Sequence, residues 1–181
     1  MSKLIYLSGK ARSGKDEFAR LWIKNNPKFI RMAFADEIKS MTSQILGVKL
    51  EDLSNPETKE KYRAFLIYGG QLVRAIDPDY WVKKVTSRED FKRKDVIITD
   101  VRCVNEMEEL EYRAEYYFKE AIGVRISALE PVRLARGANP DFFDDVSETS
   151  MDNEHLTWNI ANNGTLEDLE KEIKKVMAWH G

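Results

Sequence analysis

Residues 4–18 read LIYLSGKARSGKDEF. The frame GKARSGKD, residues 9–16, follows the phosphate-binding pattern G-x-x-x-x-G-K-[ST] at every place but the last, where Asp16 stands instead of a hydroxyl residue. KLIYL (3–7) is a short apolar run of strand formers, and in the following DEFARLWIKN the side chains of Phe18, Leu21 and Trp22 fall on one helical face. Strand, glycine loop and helix in that order point successive N–H groups and the positive end of a helix at one spot, where Lys15 adds a full charge. A nucleoside triphosphate such as ATP suits that arrangement. A carboxylate beside a polyanion is repulsive unless a divalent cation lies between them, so the expectation is magnesium held by Asp16, directly or through a bound water.

The rest of the chain alternates strands with helices. FIRMAF (29–34) reads as a second strand, with Asp36 capping the helix EIKSMTSQIL. Between 57 and 76 the apolar positions Tyr62, Phe65, Leu66, Gly69, Leu72, Val73 and Ile76 keep a helical period. Gly69 and Gly70 interrupt it, which implies either a break or a close approach to the backbone. DPDYWVKKV restarts a helix near residue 79. DVIITD (95–100) is a continuous apolar run ending in a carboxylate, the pattern of a strand buried on both faces of a parallel sheet. A helix over 103–119 follows, then strands at 123–129 and 158–162 and a C-terminal helix with Thr165 as its N-cap. The expected fold is α/β: a three-layer sandwich of the P-loop NTPase type with a mostly parallel sheet, forming one domain over 1–181. Segment 130–150 is too long and polar for an ordinary connection and reads as a lid.

A chain of 181 residues, 43% hydrophobic, fills one core and leaves little for a second. A net charge of -2 and a pI near 5.8 give no global positive field, which argues against nucleic acid and anionic membrane as partners. The N-terminal residues contain no apolar run long enough for a signal sequence or a membrane span, so a cytoplasmic protein is expected. Cys103 has no internal disulfide partner, and His155 and His180 lack zinc-site spacing.

Charge placement then separates the chemistries open to a phosphate loop. Phosphoryl transfer needs positioning and positive charge on the moving group, which Arg supplies through its planar fork. Arg102 lies just beyond the buried strand, and Arg133 and Arg136 lie at the root of the lid, three apart and so on one side of a helical turn. Two solvated lid charges would read the same way. Asp100 is either a second carboxylate facing magnesium or substrate, or a helix N-cap. No His stands near any motif, as expected if the acceptor is already an anion.

Together, YLSG-x-x-x-SGKD, YWVKK, TDVRCVNEME, SET after the lid and NNGTLEDL resemble the deoxynucleoside monophosphate kinases of bacteriophages, and more distantly the P-loop phosphomevalonate kinases. The resemblance implies that Gly9, Arg12, Ser13, Gly14, Lys15 and Asp16 hold ATP and magnesium, with Asn162, Asn163 and Gly164 beside the ATP base. It makes Asp100 and Arg102 part of the acceptor site and Arg133 and Arg136 lid arginines. Within an acceptor region over about 36–90, Asp36, Lys39, Arg63, Gln71, Arg74 and Trp81 are the implied substrate contacts. The reaction expected from it is transfer of the γ-phosphoryl of ATP to a (deoxy)nucleoside monophosphate, with small nucleotides as partners and homodimerisation left open. Two alternatives stand beside it: a kinase of another phosphorylated metabolite, such as phosphomevalonate or dephospho-coenzyme A, and a nucleotide-binding module that only hydrolyses ATP.

Overall fold

A computed structural model describes residues 2–180. Five strands form one sheet: β1 (Ser2–Ser8), β2 (Phe29–Met32), β3 (Asp95–Val101), β4 (Phe118–Ser127) and β5 (Trp158–Ala161). Their order is β2-β3-β1-β4-β5, and every pairing is parallel. The helices are α1 (Lys15–Asn25), α2 (Phe34–Leu46), α3 (Leu50–Ser54), α4 (Pro56–Ile76), α5 (Tyr80–Thr86), α6 (Glu89–Arg93), α7 (Val104–Tyr117), α8 (Glu130–Ala135), α9 (Val146–Thr149) and α10 (Leu166–His180).

Alternation along the central strands divides the core into two layers, as period-2 side chains require. Leu4 and Tyr6 of β1 and Val96 and Ile98 of β3 meet Phe34 and Ile38 of α2, Trp81 and Val85 of α5, Phe91 of α6 and Leu110 of α7. Ile5, Leu7 and Ile97 face the other way, onto Phe18 and Trp22 of α1 and Leu169 and Ile173 of α10. The result is the three-layer α/β sandwich expected. The loop after β1 lies at the carboxyl end of the sheet, where β3 on one side and β4 on the other leave a crevice.

Four details differ from the sequence reading. The second strand stops at Met32, and α2 begins at Phe34 with no capping side chain of its own, so Asp36 lies inside the first turn and not at the cap. Helix α4 runs unbroken through Gly69 and Gly70. Gly70 marks a close approach instead: a Cβ there would lie 3.1 Å from Ile38 Cδ1, whereas one on Gly69 would make only ordinary contact, 3.6 Å from Met41 Cε. Strand β4 begins at Phe118 and ends at Ser127, earlier at both ends than its apolar run implies. The 130–150 segment is not irregular, since α8, a 3-10 turn at Pro140–Phe142 and α9 subdivide it. Thr165 does cap α10, exchanging hydrogen bonds with Asp168. No helix among the described residues is long and apolar enough to cross a membrane.

Candidate active site

The 9–16 loop adopts a conformation that L side chains resist. Gly9 and Gly14 have φ of 143° and 109°, and Arg12 sits at φ 61°. A Cβ on Gly9 would lie 2.1 Å from the Ile126 carbonyl oxygen of β4, and one on Gly14 2.2 Å from Asn162 Nδ2. The Asn162 amide donates to the Ser13 carbonyl at 2.9 Å, so the loop is clasped from the β5 side. Asn163 instead accepts from the Leu129 N–H at 2.7 Å and ties down the start of α8. These two asparagines therefore brace the loop and the lid root, and Asn162 also lines a cleft with Gly14, Arg136 and Gly164.

Lys15 is buried and turned back on its own loop, donating to the Gly9 carbonyl at 2.5 Å and the Lys10 carbonyl at 3.0 Å. Burial, and secondarily the Arg102 charge, pull its pKa down to about 8, against an opposing pull from Glu148. Three buried polar atoms nearby have no hydrogen-bond partner: Ser13 Oγ, Arg133 Nη1 and Arg136 Nη1. Orphaned donors beside a glycine loop fit an anionic group such as a nucleotide's phosphates.

Asp16 is the exposed acid of the first α1 turn, 3.8 Å from Arg31. No cluster of three His, Cys, Asp or Glu able to hold a metal occurs among the described residues. An exposed acid at the start of α1 fits a magnesium ion that would be carried mainly by nucleotide phosphates and water, with Asp16 as the residue that would hold it. Asp100 lines the cavity beyond the loop and also has a structural partner. Its two oxygens accept from the Phe34 and Ala35 N–H groups, both at 2.8 Å, and supply the cap that α2 lacks. Burial raises its pKa, while those amides oppose the shift.

Beyond the loop opens a cavity of about 370 Å³. Arg12, Lys39, Lys59, Arg63, Arg74 and Arg102 line it together with Gln71, Asp100 and Glu148, and Ala35, Ile38, Leu66 and Ile67 supply an aliphatic wall. None of the described lining residues is aromatic. Trp81, expected to face substrate, is instead 1% exposed in the core, its indole N–H bonded to the Gly70 carbonyl. Asp36 pairs with Arg31 at 2.7 Å and with Lys39 at 3.3 Å and does not line the cavity. Arg133 and Arg136 do not act as a pair. Arg133 lies buried against the Phe143 ring at 4.2 Å, while Arg136, at the end of α8, opens onto the Gly14 cleft.

A sequence model of the family described as phosphomevalonate kinase matches residues 7–117. The phosphomevalonate kinase of Drosophila melanogaster is 30% identical over 142 residues, spanning 76% of this chain and 74% of that protein. The chain belongs to the phosphomevalonate kinase family. Among solved structures it is similar to the shikimate kinase of Acinetobacter baumannii in complex with shikimate, with a TM-score of 0.55 and 16% identity over 99% of this chain and 95% of that one. The APS kinase of Mycobacterium tuberculosis in complex with AMPPNP and APS gives a TM-score of 0.54 and 8% identity over 98% of each chain. At those identities the likeness is one of fold. Family and fold together make the protein a P-loop kinase, and the more specific likeness to phage nucleotide kinases is not what the comparisons support.

Three polar residues of this phosphomevalonate kinase family member escaped the sequence reading. Glu106, 1% exposed, accepts from Arg74 at 3.0 Å and from the N–H groups of Arg102 and Cys103 at 2.9 and 3.1 Å. It fixes both cavity arginines from behind. Burial raises its pKa, and Arg74 opposes the shift. Lys59 faces the cavity from α4, its pKa lowered by burial and then by Lys39, Arg63, Arg102 and Arg12. Glu148 bridges the loop and the lid. The DVRCVNEME run held a signal for Glu106, since a carboxylate three residues after position 103 reaches back to an N-cap. Cys103, at that cap, has its thiol pushed up to about 11 by burial and Glu106, so it is no nucleophile at neutral pH.

Proposed function

We propose that this protein transfers the γ-phosphoryl group of ATP to the phosphate of phosphomevalonate, giving diphosphomevalonate and ADP. The observation that carries the reading is the cavity wall: six cations around a short aliphatic face, with no aromatic residue among the described lining. A small branched acid phosphate carries a phosphate and a carboxylate on a short aliphatic skeleton, and each part has a counterpart there. A nucleobase asks instead for a flat stacking partner, and Trp81 is not available for that.

An acceptor phosphate oxygen attacks Pγ as the bond from Pγ to the β-bridging oxygen breaks, and ADP leaves. The acceptor is already an anion, so no general base is needed. Lys15 and the loop amides hold the donor, Arg102 faces the junction between loop and cavity, and the α8–α9 segment excludes water. Magnesium, which Asp16 would help to hold, would offset the negative charge of the donor phosphates.

A coupled assay of ADP release tests the proposal against phosphomevalonate, the eight common nucleoside monophosphates and dephospho-coenzyme A. A preference for phosphomevalonate of about a hundredfold or more in kcat/KM is expected. Preference for a nucleoside monophosphate overturns the acceptor assignment and leaves a kinase. ATP hydrolysis indifferent to every acceptor overturns transfer itself.

A further inference from the structure

Three segments far apart in sequence meet at one carboxylate. Glu148 Oε2 accepts from the N–H of Ala11 in the phosphate loop at 2.6 Å, and Oε1 accepts from Arg102 Nη1 at 2.6 Å. Arg133 Nη1 approaches Oε2 at 3.8 Å, too far for a hydrogen bond, and has no other partner. Glu148 is 7% exposed and borders the cavity. An anion ringed by a loop amide and two guanidiniums stands where a phosphoryl group passing from donor to acceptor needs its donors.

We infer that Glu148 is a positioning residue: an internal anion that keeps Ala11 N–H, Arg102 and Arg133 converged while the site holds no nucleotide, and yields that place to the incoming phosphoryl group. The surrounding structure is built to hold it there. Asp145 accepts from the Ser147 N–H at 2.8 Å and caps α9, and Phe143 supports the Arg133 guanidinium from below. Glu106 holds the Arg102 backbone from the opposite side. Without Glu148, Lys15, Arg102 and Arg133 would face one another as like charges. The unfilled reach of Arg133 Nη1 is the slack that a larger tetrahedral anion takes up. Two arginines against the carboxylate exclude a cation-binding role, and a phosphate acceptor leaves nothing for a base to do.

The inference rests on the loop and Arg102 forming the transfer site, whichever acceptor is used. It is tested by calorimetric binding of the ATP analogue AMPPNP, which involves no acceptor, together with kcat on the acceptor found above. Glu148→Gln keeps the shape and removes the charge, so AMPPNP should bind about fivefold or more tighter while kcat falls about tenfold or more. Glu148→Asp keeps the charge and loses the reach, so it should leave AMPPNP affinity near wild type and still lower kcat. Thermal melts confirm that each variant is folded before it is scored. Unchanged or weaker AMPPNP binding by Glu148→Gln overturns the displaced-anion role, and unchanged kcat in both variants overturns the positioning role. Wild-type inactivity on phosphomevalonate would strike the acceptor assignment alone, because the binding arm does not depend on it.

Discussion

Trp81 donates its indole N–H to the main-chain carbonyl of Gly70 at 3.2 Å, and this contact holds α5 against α4 from inside the core. Trp81→Phe removes the donor and part of a buried ring, which should cost about 1–3 kcal/mol in urea or thermal unfolding. The acceptor KM should stay within about twofold of wild type, because the cavity wall is untouched. A large rise in KM with unchanged stability would instead place Trp81 against substrate.

Lys15 links function to pH. Below about 8 it is charged in the free protein and attracts the donor phosphates; above that it is neutral, while a bound triphosphate favours the charged form. AMPPNP affinity should therefore weaken as pH rises from 8 to 10, by up to about tenfold per unit, with proton uptake on binding. Calorimetry in buffers of different ionisation enthalpy measures both. The stability sign is opposite. The native pKa lies below the unfolded value, so the native state sheds its proton first and this group's contribution to stability rises with pH between about 8 and 10.5. Lys15→Met removes a buried charge, so it should unfold at the same or higher temperature at pH 7 yet lower turnover about a hundredfold or more.

Asp100 offers a test between two carboxylate roles. Asp100→Ala leaves the Phe34 and Ala35 N–H groups without acceptors and should cost about 1–2 kcal/mol of stability. Acceptor KM should rise with it, since Ala35 lines the cavity. Asp100→Asn retains one acceptor oxygen and should lose less on both counts. Abolished activity in Asp100→Asn, with normal stability and a shifted magnesium dependence, would make it a metal ligand after all.

How much of this was legible follows from the range of each signal. The loop, its flanking strand and helix, and the charge of Arg102 lie within short windows, where spacing and residue type carry the physics. The family resemblance grouped Trp81 with Arg63 and Arg74 as one acceptor region, but a likeness over helical stretches does not report which way each helix turns its side chains. Whether a helix face meets the core or a cavity depends on what packs against it, so Trp81 went inward and Lys59 on the same stretch of chain went unnoticed. Asp100 capping a helix 65 residues earlier, and Glu148 reaching Ala11 across 137 residues, are tertiary pairings with no local trace.

The two loop glycines should fail in different ways. A Cβ at position 9 meets the backbone oxygen of Ile126 in a central strand, which cannot move without distorting β4. A Cβ at position 14 meets only the side-chain amide of Asn162. Both positions also carry positive φ, at 143° and 109°. Gly9→Ala should therefore lower global stability by about 2 kcal/mol or more, measured by urea unfolding. Gly14→Ala should leave stability closer to wild type and strike AMPPNP affinity and kcat. Asn162→Ala, by removing the clashing amide, should recover part of the nucleotide affinity of Gly14→Ala while doing nothing for Gly9→Ala. Equal rescue of both, or of neither, would show that the clasp between Asn162 and the loop does not control the loop's shape.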